Sequence, residues 1–202
     1  MWYIVDCEEG AKLIYGFTRQ LDKKEFEMHI RNNTLDDVMN YVPVKKGDVF
    51  FIAAGTLHAI GSGMLIAEIQ QNSNTTYRVS DYGRLGTDGK PRQLHIEKAL
   101  AVTKTEIPFY SYGDIGAIRE YKYGRIRELA RCKYFKVKSI MLNGRFRVNN
   151  KKFTALLILE GNMKIKYRDG EIQAKKGDSI YIPGGCKTSV SGNGEIICSR
   201  VG

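Results

Sequence analysis

The sequence lacks the features that mark membrane and secreted proteins. Its 202 residues contain no apolar run near the roughly 18 residues that cross a bilayer, and no charged leader followed by an apolar stretch and a cleavage site. The four cysteines lie far apart without a C-x-x-C pair, which predicts reduced thiols with packing roles. We therefore expect a soluble protein of the cytoplasm.

Proline is also scarce, with 4 residues, whereas glycine reaches 21. The chain adds 12 tyrosines and 8 phenylalanines, which favour strands, so the composition predicts many tight turns between β-strands. With 43% apolar and 27% charged residues the chain is neither disordered nor collagen-like. It is long enough for one large domain or two small ones.

Acidic residues are rare in one segment, residues 119–152, which contains 12 Lys and Arg but only Glu120 and Glu128. This segment carries a net charge of +10, and the remainder of the chain is neutral overall. Such a segment is either a solvated strand face or, with its interleaved aromatic residues, a surface for single-stranded nucleic acid. Alternation at Phe135, Val137 and Ser139 favours the strand face.

Local patterns predict a mainly β chain with a small helical part. Two segments with capping-box spacing predict two short helices over about residues 22–41, and residues 94–103 predict a third. Nearly everything after Tyr134 has the pattern of strands. A strand pattern is already present at Trp2, without a polar segment before it. We therefore expect that strands of the same sheet that would precede Trp2 are absent from this chain.

Residues 45–60 align without gaps with residues 175–190. Both copies contain a Lys-Lys-Gly-Asp turn, a strand, a second glycine turn and a returning strand, which is typical of a small β-barrel or jelly roll. Two copies predict two similar units. We place an incomplete first unit at residues 1–105, with the helical insertion at about 22–41, a connecting segment at 106–132 and a second unit at 133–202.

The first copy contains a candidate metal ligand. A Gly-Asp turn, a short apolar strand, a small-residue turn and then His58 resemble the second half of the cupin signature. An imidazole at that point of a cupin faces into the barrel, where metal ligands converge. The second copy has Thr188 in its place, so the resemblance implies a double cupin whose second unit has no metal site.

A polar segment follows, with Glu68 at its start, Arg78 and Arg84 further on, and several amides between them. Two arginines and a carboxylate near one barrel mouth could hold a phosphorylated, hydroxyl-rich ligand, because arginine makes bidentate contacts to phosphate and stabilises oxyanions. The alternative is a hydrogen-bonded loop with solvated charges.

Three segments resemble class I mannose-6-phosphate isomerases of the short bacterial type. They are the strand pattern beginning at Trp2, the run 47–82 with Gly-Asp, Gly-Thr-Leu-His and Asn-Ser-Asn-Thr-Thr-Tyr-Arg, and the run Pro-Arg-Gln-Leu-His-Ile-Glu-Lys-Ala at 91–99. The resemblance implies interconversion of mannose 6-phosphate and fructose 6-phosphate through a cis-enediol, with help from one zinc ion. It implies that His58 is a zinc ligand, that Arg78 is catalytic and that Glu68 contacts substrate.

The family's other zinc ligands, a Gln-x-His pair and a Glu, precede the strand at which this chain starts. We expect the first barrel to be truncated at its N-terminus, and the chain alone to hold little zinc and turn over little substrate, because zinc sites use three or four protein ligands. Gln93 and His95 have Gln-x-His form but match a later part of the family pattern, so we interpret them as coincidence. His29 is expected at the surface.

Two interpretations of function therefore remain beside nucleic-acid binding. The first is a mannose-6-phosphate isomerase that acts on a small-molecule sugar phosphate, and the second is a non-catalytic cupin that binds a sugar phosphate. Neither involves nucleic acid or membrane partners. An oligomer or a separate N-terminal fragment stays open, because exposed strand edges invite association.

Overall fold

The structure is a computed structural model that describes residues 1–81, 84–149 and 151–202. The described chain forms two compact units, residues 1–113 and 114–202. Its elements are β1 (Trp2–Cys7), β2 (Lys12–Phe17), α1 (Lys23–Arg31), a 3-10 turn (Leu35–Asp37), β3 (Met39–Pro43), β4 (Val49–Phe50), β5 (His58–Ala59), β6 (Met64–Glu68), α2 (Ile96–Val102), β7 (Ile118–Tyr121), β8 (Gly124–Arg131), β9 (Phe135–Val148), β10 (Thr154–Tyr167), β11 (Gly170–Lys175), β12 (Ser179–Ile182) and β13 (Thr188–Val201). The predicted mainly β cupin architecture is confirmed.

The first unit contains two three-stranded antiparallel sheets, ordered β4-β1-β6 and β3-β2-β5. Leu13, Ile14 and Tyr15 of β2 alternate between its two faces, and a shift of register between Ile14 and Phe17 brings Phe17 to the same face as Ile14. On one face lies the inner cluster, which consists of Trp2, Ile4, Leu13, Tyr15, Val42 and Phe50. On the other face lies the helix-side cluster, which consists of Ile14, Phe17, Leu21, Phe26, Ile30, Leu35, Val38 and Met39.

The helical insertion contains one α-helix rather than the two that we predicted. Asp22 caps α1, since its side chain accepts a hydrogen bond of 2.8 Å from the Glu25 amide. The second predicted helix is a single 3-10 turn, and β3 follows it. Residues 39–43 pair with β2 instead, so the backbone hydrogen bonds of the sheet replace those of a second helix.

The Asp22 cap allows a stability prediction. The Asp22→Ala variant should unfold with a free energy about 1 kcal/mol below that of the parent chain, because one orphan amide of the helix loses its acceptor. Urea denaturation followed by circular dichroism measures this difference. The Asp169→Ala variant, which removes a side chain that is 83% exposed, is the control and should unfold like the parent chain; equal unfolding of both variants would contradict the cap.

The second unit is built on one seven-stranded sheet with the order β11-β10-β13-β9-β8-β7, in which β12 also pairs with β10. Its core is formed by inward side chains of the three longest strands, β9, β10 and β13, together with residues from their neighbours. Residues 118–121 and 124–131, which we predicted to lie in a connecting segment, are β7 and β8 of this sheet.

The repeated Lys-Lys-Gly-Asp motif forms the same turn in both units. Asp48 Oδ2 accepts a hydrogen bond of 2.9 Å from the Lys45 amide, and Asp178 Oδ2 accepts one of 2.8 Å from the Lys175 amide. In each turn the aspartate amide also donates back to the lysine carbonyl, at 3.1 and 2.9 Å. The structure therefore shows that the internal repeat is a repeat of local backbone geometry.

The basic segment lies in strands β7 to β9, and several of its arginines pair with carboxylates. Arg125 pairs with Glu120 at 3.0 Å, and Arg127 pairs with Asp114.

All four cysteines are free thiols, as predicted, and burial raises the pKa of the Cys198 thiol. In the described part of the chain, neither helix is long and apolar enough to cross a membrane.

Candidate active site

His58 lies in β5, where it pairs with Tyr15 of β2. Its neighbours Leu57 and Ala59 pack against the helix-side cluster, so the exposed His58 side chain points to the opposite face of the strand. There its ring meets the edge of the Trp2 indole, with 5.3 Å between the centroids. His58 therefore lies on the same face of the sheet as Tyr15 and the inner cluster, and its role as a metal ligand stays a prediction.

A hydrogen bond determines which nitrogen of His58 can act on a ligand. Nδ1 lies 2.7 Å from the Thr56 carbonyl oxygen, and a carbonyl oxygen can only accept, so Nδ1 carries the proton in this contact. In the neutral ring the lone pair is then on Nε2. Fixing one ring nitrogen in this way is how proteins orient histidines that bind metals or move protons.

Glu68 ends strand β6 directly opposite Trp2. The Trp2 indole Nε1 donates a hydrogen bond of 3.0 Å to Glu68 Oε1. Trp2 is only 3% exposed and its ring also meets His58, so one buried side chain contacts both residues. The bond fixes one oxygen of the exposed Glu68 carboxylate, and the second oxygen, Oε2, can face a ligand.

The residues present do not amount to a zinc site. Within residues 1–81, 84–149 and 151–202, no three His, Cys, Asp or Glu side chains are grouped closely enough to hold a metal ion. Zinc sites in proteins use three or four protein ligands, whereas the neighbourhood of Trp2 offers His58 and Glu68. We therefore assign no chemical step to a metal in this chain.

Arg78 lies in the loop between β6 and α2, where it is half-buried. Its Nη1 donates to the Gln93 carbonyl at 3.1 Å, and its backbone amide donates to His95 Nδ1 at 3.2 Å. The His95 amide in turn donates to the Arg78 carbonyl at 2.7 Å. The two bonds to His95 join the Arg78 backbone to the residue before α2, and the bond to the Gln93 carbonyl holds the Arg78 guanidinium.

Arg78 lines a cavity of about 930 Å³ that is strongly cationic. The lining includes four side chains with a permanent positive charge, namely Arg78, Arg84, Lys90 and Arg92. His95 and Asp88 also contribute to the wall. A cavity with this excess of cations attracts an anionic ligand.

Asp81 connects two of these arginines. Arg92 donates to both oxygens of the Asp81 carboxylate, through Nε at 2.6 Å and through Nη2, and Arg78 Nε lies 3.5 Å from Oδ1. Hydrogen bonding to Arg92 is the main cause that lowers the pKa of Asp81, and the charges of Arg92, Arg78 and Arg84 lower it further. Asp81 is thus held as a carboxylate that orients the guanidinium groups.

This ion pair leads to a prediction about pH. Because the folded-state pKa of Asp81 is lowered, its contribution to stability should be complete above the unfolded pKa of about 3.9 and should be lost as the pH falls through the folded value. The Asp81→Asn variant should therefore lose less stability than the parent chain between pH 6 and pH 3. Urea denaturation at both pH values measures this, and identical losses would contradict the prediction.

Comparison with known proteins agrees with the geometry. Residues 125–201 match the sequence pattern described as the mannose-6-phosphate isomerase cupin domain. The chain is 34% identical to the mannose-6-phosphate isomerase ManA of Bacillus subtilis over 99% of its own length and 63% of that protein. By sequence, the chain is similar to mannose-6-phosphate isomerases over nearly its whole length. The Streptococcus mutans isomerase is 44% identical over 101 residues, which are 50% of this chain and 32% of that protein.

A solved structure of the family supports the same conclusion. The crystal structure of the Bacillus subtilis mannose 6-phosphate isomerase superposes with a TM-score of 0.89 and 32% identity, over 98% of this chain and 63% of that one. The Salmonella typhimurium isomerase, solved with fructose 6-phosphate and zinc, shares the fold with a TM-score of 0.70 at 13% identity, over 99% of this chain and 65% of that one. The chain spans about three fifths of the length of the Bacillus relatives that it matches.

The resemblance assigns three residues to the site, His58, Glu68 and Arg78. In the structure these residues lie in two separate places. His58 and Glu68 both contact Trp2, whereas Arg78 lines the cationic cavity, whose described lining includes neither of them. The residues next to His58 and the residue after Arg78, Val79, pack against the same helix-side cluster. One apolar cluster therefore supports both places.

The structure corrects our expectation for His29 and adds contacts for Gln93 and His95. His29 was expected at the surface, but it is only 9% exposed, and its Nδ1 lies 2.8 Å from Thr34 Oγ1. The expectation failed because the chain that follows α1 turns back over His29. The Thr34 amide donates a hydrogen bond of 2.9 Å to the His29 carbonyl. Gln93 and His95 were interpreted as a coincidental pair, and their contacts with Arg78 were missed. Both residues lie in the run 91–99 that resembles the family, but neither their residue type nor their spacing indicated a contact with Arg78.

Proposed function

We propose that the protein interconverts mannose 6-phosphate and fructose 6-phosphate. The observation that carries the proposal is an arginine held in a cationic cavity, Arg78, in a chain that is similar to mannose-6-phosphate isomerases. A sugar phosphate is an anion that matches this charge. The proposal includes the cytoplasmic location that we expected from the sequence.

The chemistry requires positive charge at one position. A base removes the proton from C2 of the aldose, and the O1 carbonyl oxygen gains negative charge. O1 is then protonated while the O2 hydroxyl loses its proton, and a proton delivered to C1 gives the ketose through a cis-enediol. In our proposal the Arg78 guanidinium donates hydrogen bonds to the oxygen that becomes negative. The loop fixes the guanidinium before substrate arrives, and such preorganisation makes electrostatic stabilisation effective.

We propose Glu68 as a substrate-contacting residue and leave the base of the reaction unassigned. Its Oε1 is held by the Trp2 indole, which leaves Oε2 to accept a hydrogen bond from a sugar hydroxyl. His58 is the proposed ligand for zinc, through Nε2, because Nδ1 is bonded to Thr56. Both assignments rest on the family resemblance and on the contacts around Trp2.

Low zinc content and slow turnover of the chain alone stay predictions. They follow from the single imidazole beside Trp2 and the scarcity of other ligands among the described residues. Metal analysis of the purified protein tests the first prediction. Stoichiometric zinc that is lost in the His58→Gln variant would contradict it.

A second candidate function is a cupin that binds sugar phosphates without turnover. It is favoured by the lack of a three-ligand metal cluster in the described parts of the chain, together with the intact environment of Arg78. It predicts saturable binding of mannose 6-phosphate and no product.

One pair of measurements separates the two functions. Formation of fructose 6-phosphate from mannose 6-phosphate is followed by an enzyme-coupled assay with added zinc, and binding of the same ligand is followed by calorimetry. We expect slow turnover. Binding without turnover would instead support the binding protein, and the absence of both would contradict both functions.

A further inference from the structure

We propose that the second unit carries, on the outer face of its sheet, a docking surface for an acidic peptide segment of a partner protein. The segment binds in extended conformation across strands β9, β13 and β10. This surface gives a task to the end of the basic segment 119–152, which the candidate active site does not use. The proposal goes beyond the isomerase function and does not depend on it.

Three neighbouring antiparallel strands place their side chains in rows on this face. In each row a residue of β13 lies between one residue of β9 and one of β10. The residues that alternate with these rows, Phe146, Val190 and Ile165, belong to the core of the unit, so the rows themselves point outward. We call two of these rows the basic channel. They are Arg147, Ser189 and Lys166, and next to them Arg145, Ser191 and Lys164.

The basic channel has a floor of small side chains between two lines of long ones. Ser189 and Ser191 form the floor, and the arginines of β9 and the lysines of β10 stand on either side. Neighbouring strands lie about 4.8 Å apart, so the arginine and lysine backbones of one row are about 10 Å apart. Both arginines are exposed, and the side chains of Lys164 and Lys166 are 43% and 50% exposed. The channel is therefore open to a ligand from solution.

The four cations of the basic channel are neutralised only in part. The arginines of β8 all pair with carboxylates, whereas Arg145 and Arg147 form no ion pair with any residue that the structure describes. Lys164 and Lys166 share one carboxylate, that of Glu171, at 3.1 and 3.3 Å. Four positive charges against one negative charge leave a net charge of +3. This excess attracts an anionic partner.

The spacing of the two rows favours an extended peptide as that partner. The rows are two residues apart along β13, which is about 6.8 Å in an antiparallel strand. Side chains on one side of any extended peptide repeat at the same distance. A peptide that lies along β13 with an acidic residue at every second position thus brings one carboxylate over each row. There an arginine, a lysine and a serine hydroxyl can all donate hydrogen bonds to it.

Two other anionic partners match the basic channel less well. Proteins bind single-stranded nucleic acid with aromatic side chains that stack on the bases, and the six positions of the channel include no aromatic residue. Binding to a membrane surface combines basic residues with apolar ones that enter the lipid, and the six positions include no large apolar residue. An acidic peptide needs only the charges and hydroxyl groups that are present.

Fluorescence anisotropy with labelled twelve-residue peptides tests the proposal on the whole chain at low ionic strength. One peptide alternates Glu and Ser. The other has the same composition but repeats Glu-Glu-Ser-Ser, so the carboxylates on one side lie twice as far apart. We expect the alternating peptide to bind about fivefold more tightly, because the other peptide loses half of the charge-assisted contacts. Binding should weaken as salt is added.

The Arg145→Gln/Arg147→Gln variant removes one side of the channel at exposed positions. We expect its dissociation constant for the alternating peptide to be about tenfold higher than that of the parent chain, or more, because two charge-assisted contacts are lost. Lys122→Gln/Lys176→Gln is the matched control, since it removes two exposed cations from turns of the same unit, and it should bind like the parent chain. Arg145→Lys/Arg147→Lys keeps the charge but not the planar donors, so it should bind with intermediate affinity.

Four results would overturn the docking surface. They are no binding of the alternating peptide, equal binding of the two peptides, equal binding by the parent chain and the glutamine variant of the arginines, and tighter binding of an oligothymidylate with the same number of charges. The last result would favour nucleic acid as the partner. None of these measurements involves turnover of mannose 6-phosphate, so failure of the proposed isomerase function would leave the docking surface unaffected.

Discussion

Replacement of Arg78 by methionine is expected to lower kcat/KM for mannose 6-phosphate by about two to three orders of magnitude, the usual effect of removing a preorganised donor from a developing oxyanion. Methionine keeps much of the apolar stem and removes the charge. The backbone bonds between Arg78 and His95 do not depend on the side chain, so the loop should keep its closure. The coupled assay described above measures the change.

Two further variants make the Arg78 result specific. Arg78→Lys keeps the charge but loses the planar set of donors, so it should fall between the parent chain and Arg78→Met. Arg19→Met removes another arginine of the first unit, one that pairs with Glu25 outside the cavity, and its activity should match the parent chain. Equal activity of Arg78→Met and the parent chain would show that Arg78 is not catalytic.

The Trp2→Ala variant is expected to lose about 3–5 kcal/mol of unfolding free energy, the range for truncating a buried aromatic residue. Trp2 is 3% exposed and packs in the inner cluster with Ile4 and Tyr15. The substitution leaves a cavity between the two sheets of the first unit. Urea denaturation followed by circular dichroism measures the loss.

Trp2→Phe separates packing from hydrogen bonding at the same position. Phenylalanine fills most of the space but has no N–H group, so Glu68 loses its indole donor. We expect a loss of about 1 kcal/mol from the missing hydrogen bond, plus a smaller packing loss. A cost below 1 kcal/mol for Trp2→Ala would contradict the role of Trp2 as the common support of His58 and Glu68.

Helices and strands that are determined by neighbouring residues in the sequence could be predicted. The Asp22 cap with its apolar positions at Phe26 and Ile30 is a local signal, and the structure contains that helix. The second predicted helix failed because β2 needed a neighbouring strand, and a sheet partner is not visible in local sequence. Strands β7 and β8 were missed as part of the second sheet for the same reason.

Only those residues of the candidate site that belong to a recognisable motif could be predicted from the sequence. The cupin pattern predicted His58 as a metal ligand, and the structure places its ring beside Trp2, while the ligand role stays a prediction. The supports of Arg78 come from Gln93 and His95, 15 and 17 residues along the chain. Contacts across a loop of this length depend on how the loop closes, and neither spacing nor residue type reveals that.

The measurement that tests the central claim most directly is proton NMR of fructose 6-phosphate incubated with the protein and zinc in deuterated water. An isomerase that works through a cis-enediol exchanges a C1 proton with solvent and forms mannose 6-phosphate. We predict that the signals of mannose 6-phosphate appear, and that Arg78→Met abolishes them. Fructose 6-phosphate that binds but keeps its C1 protons and gives no aldose would contradict the claim.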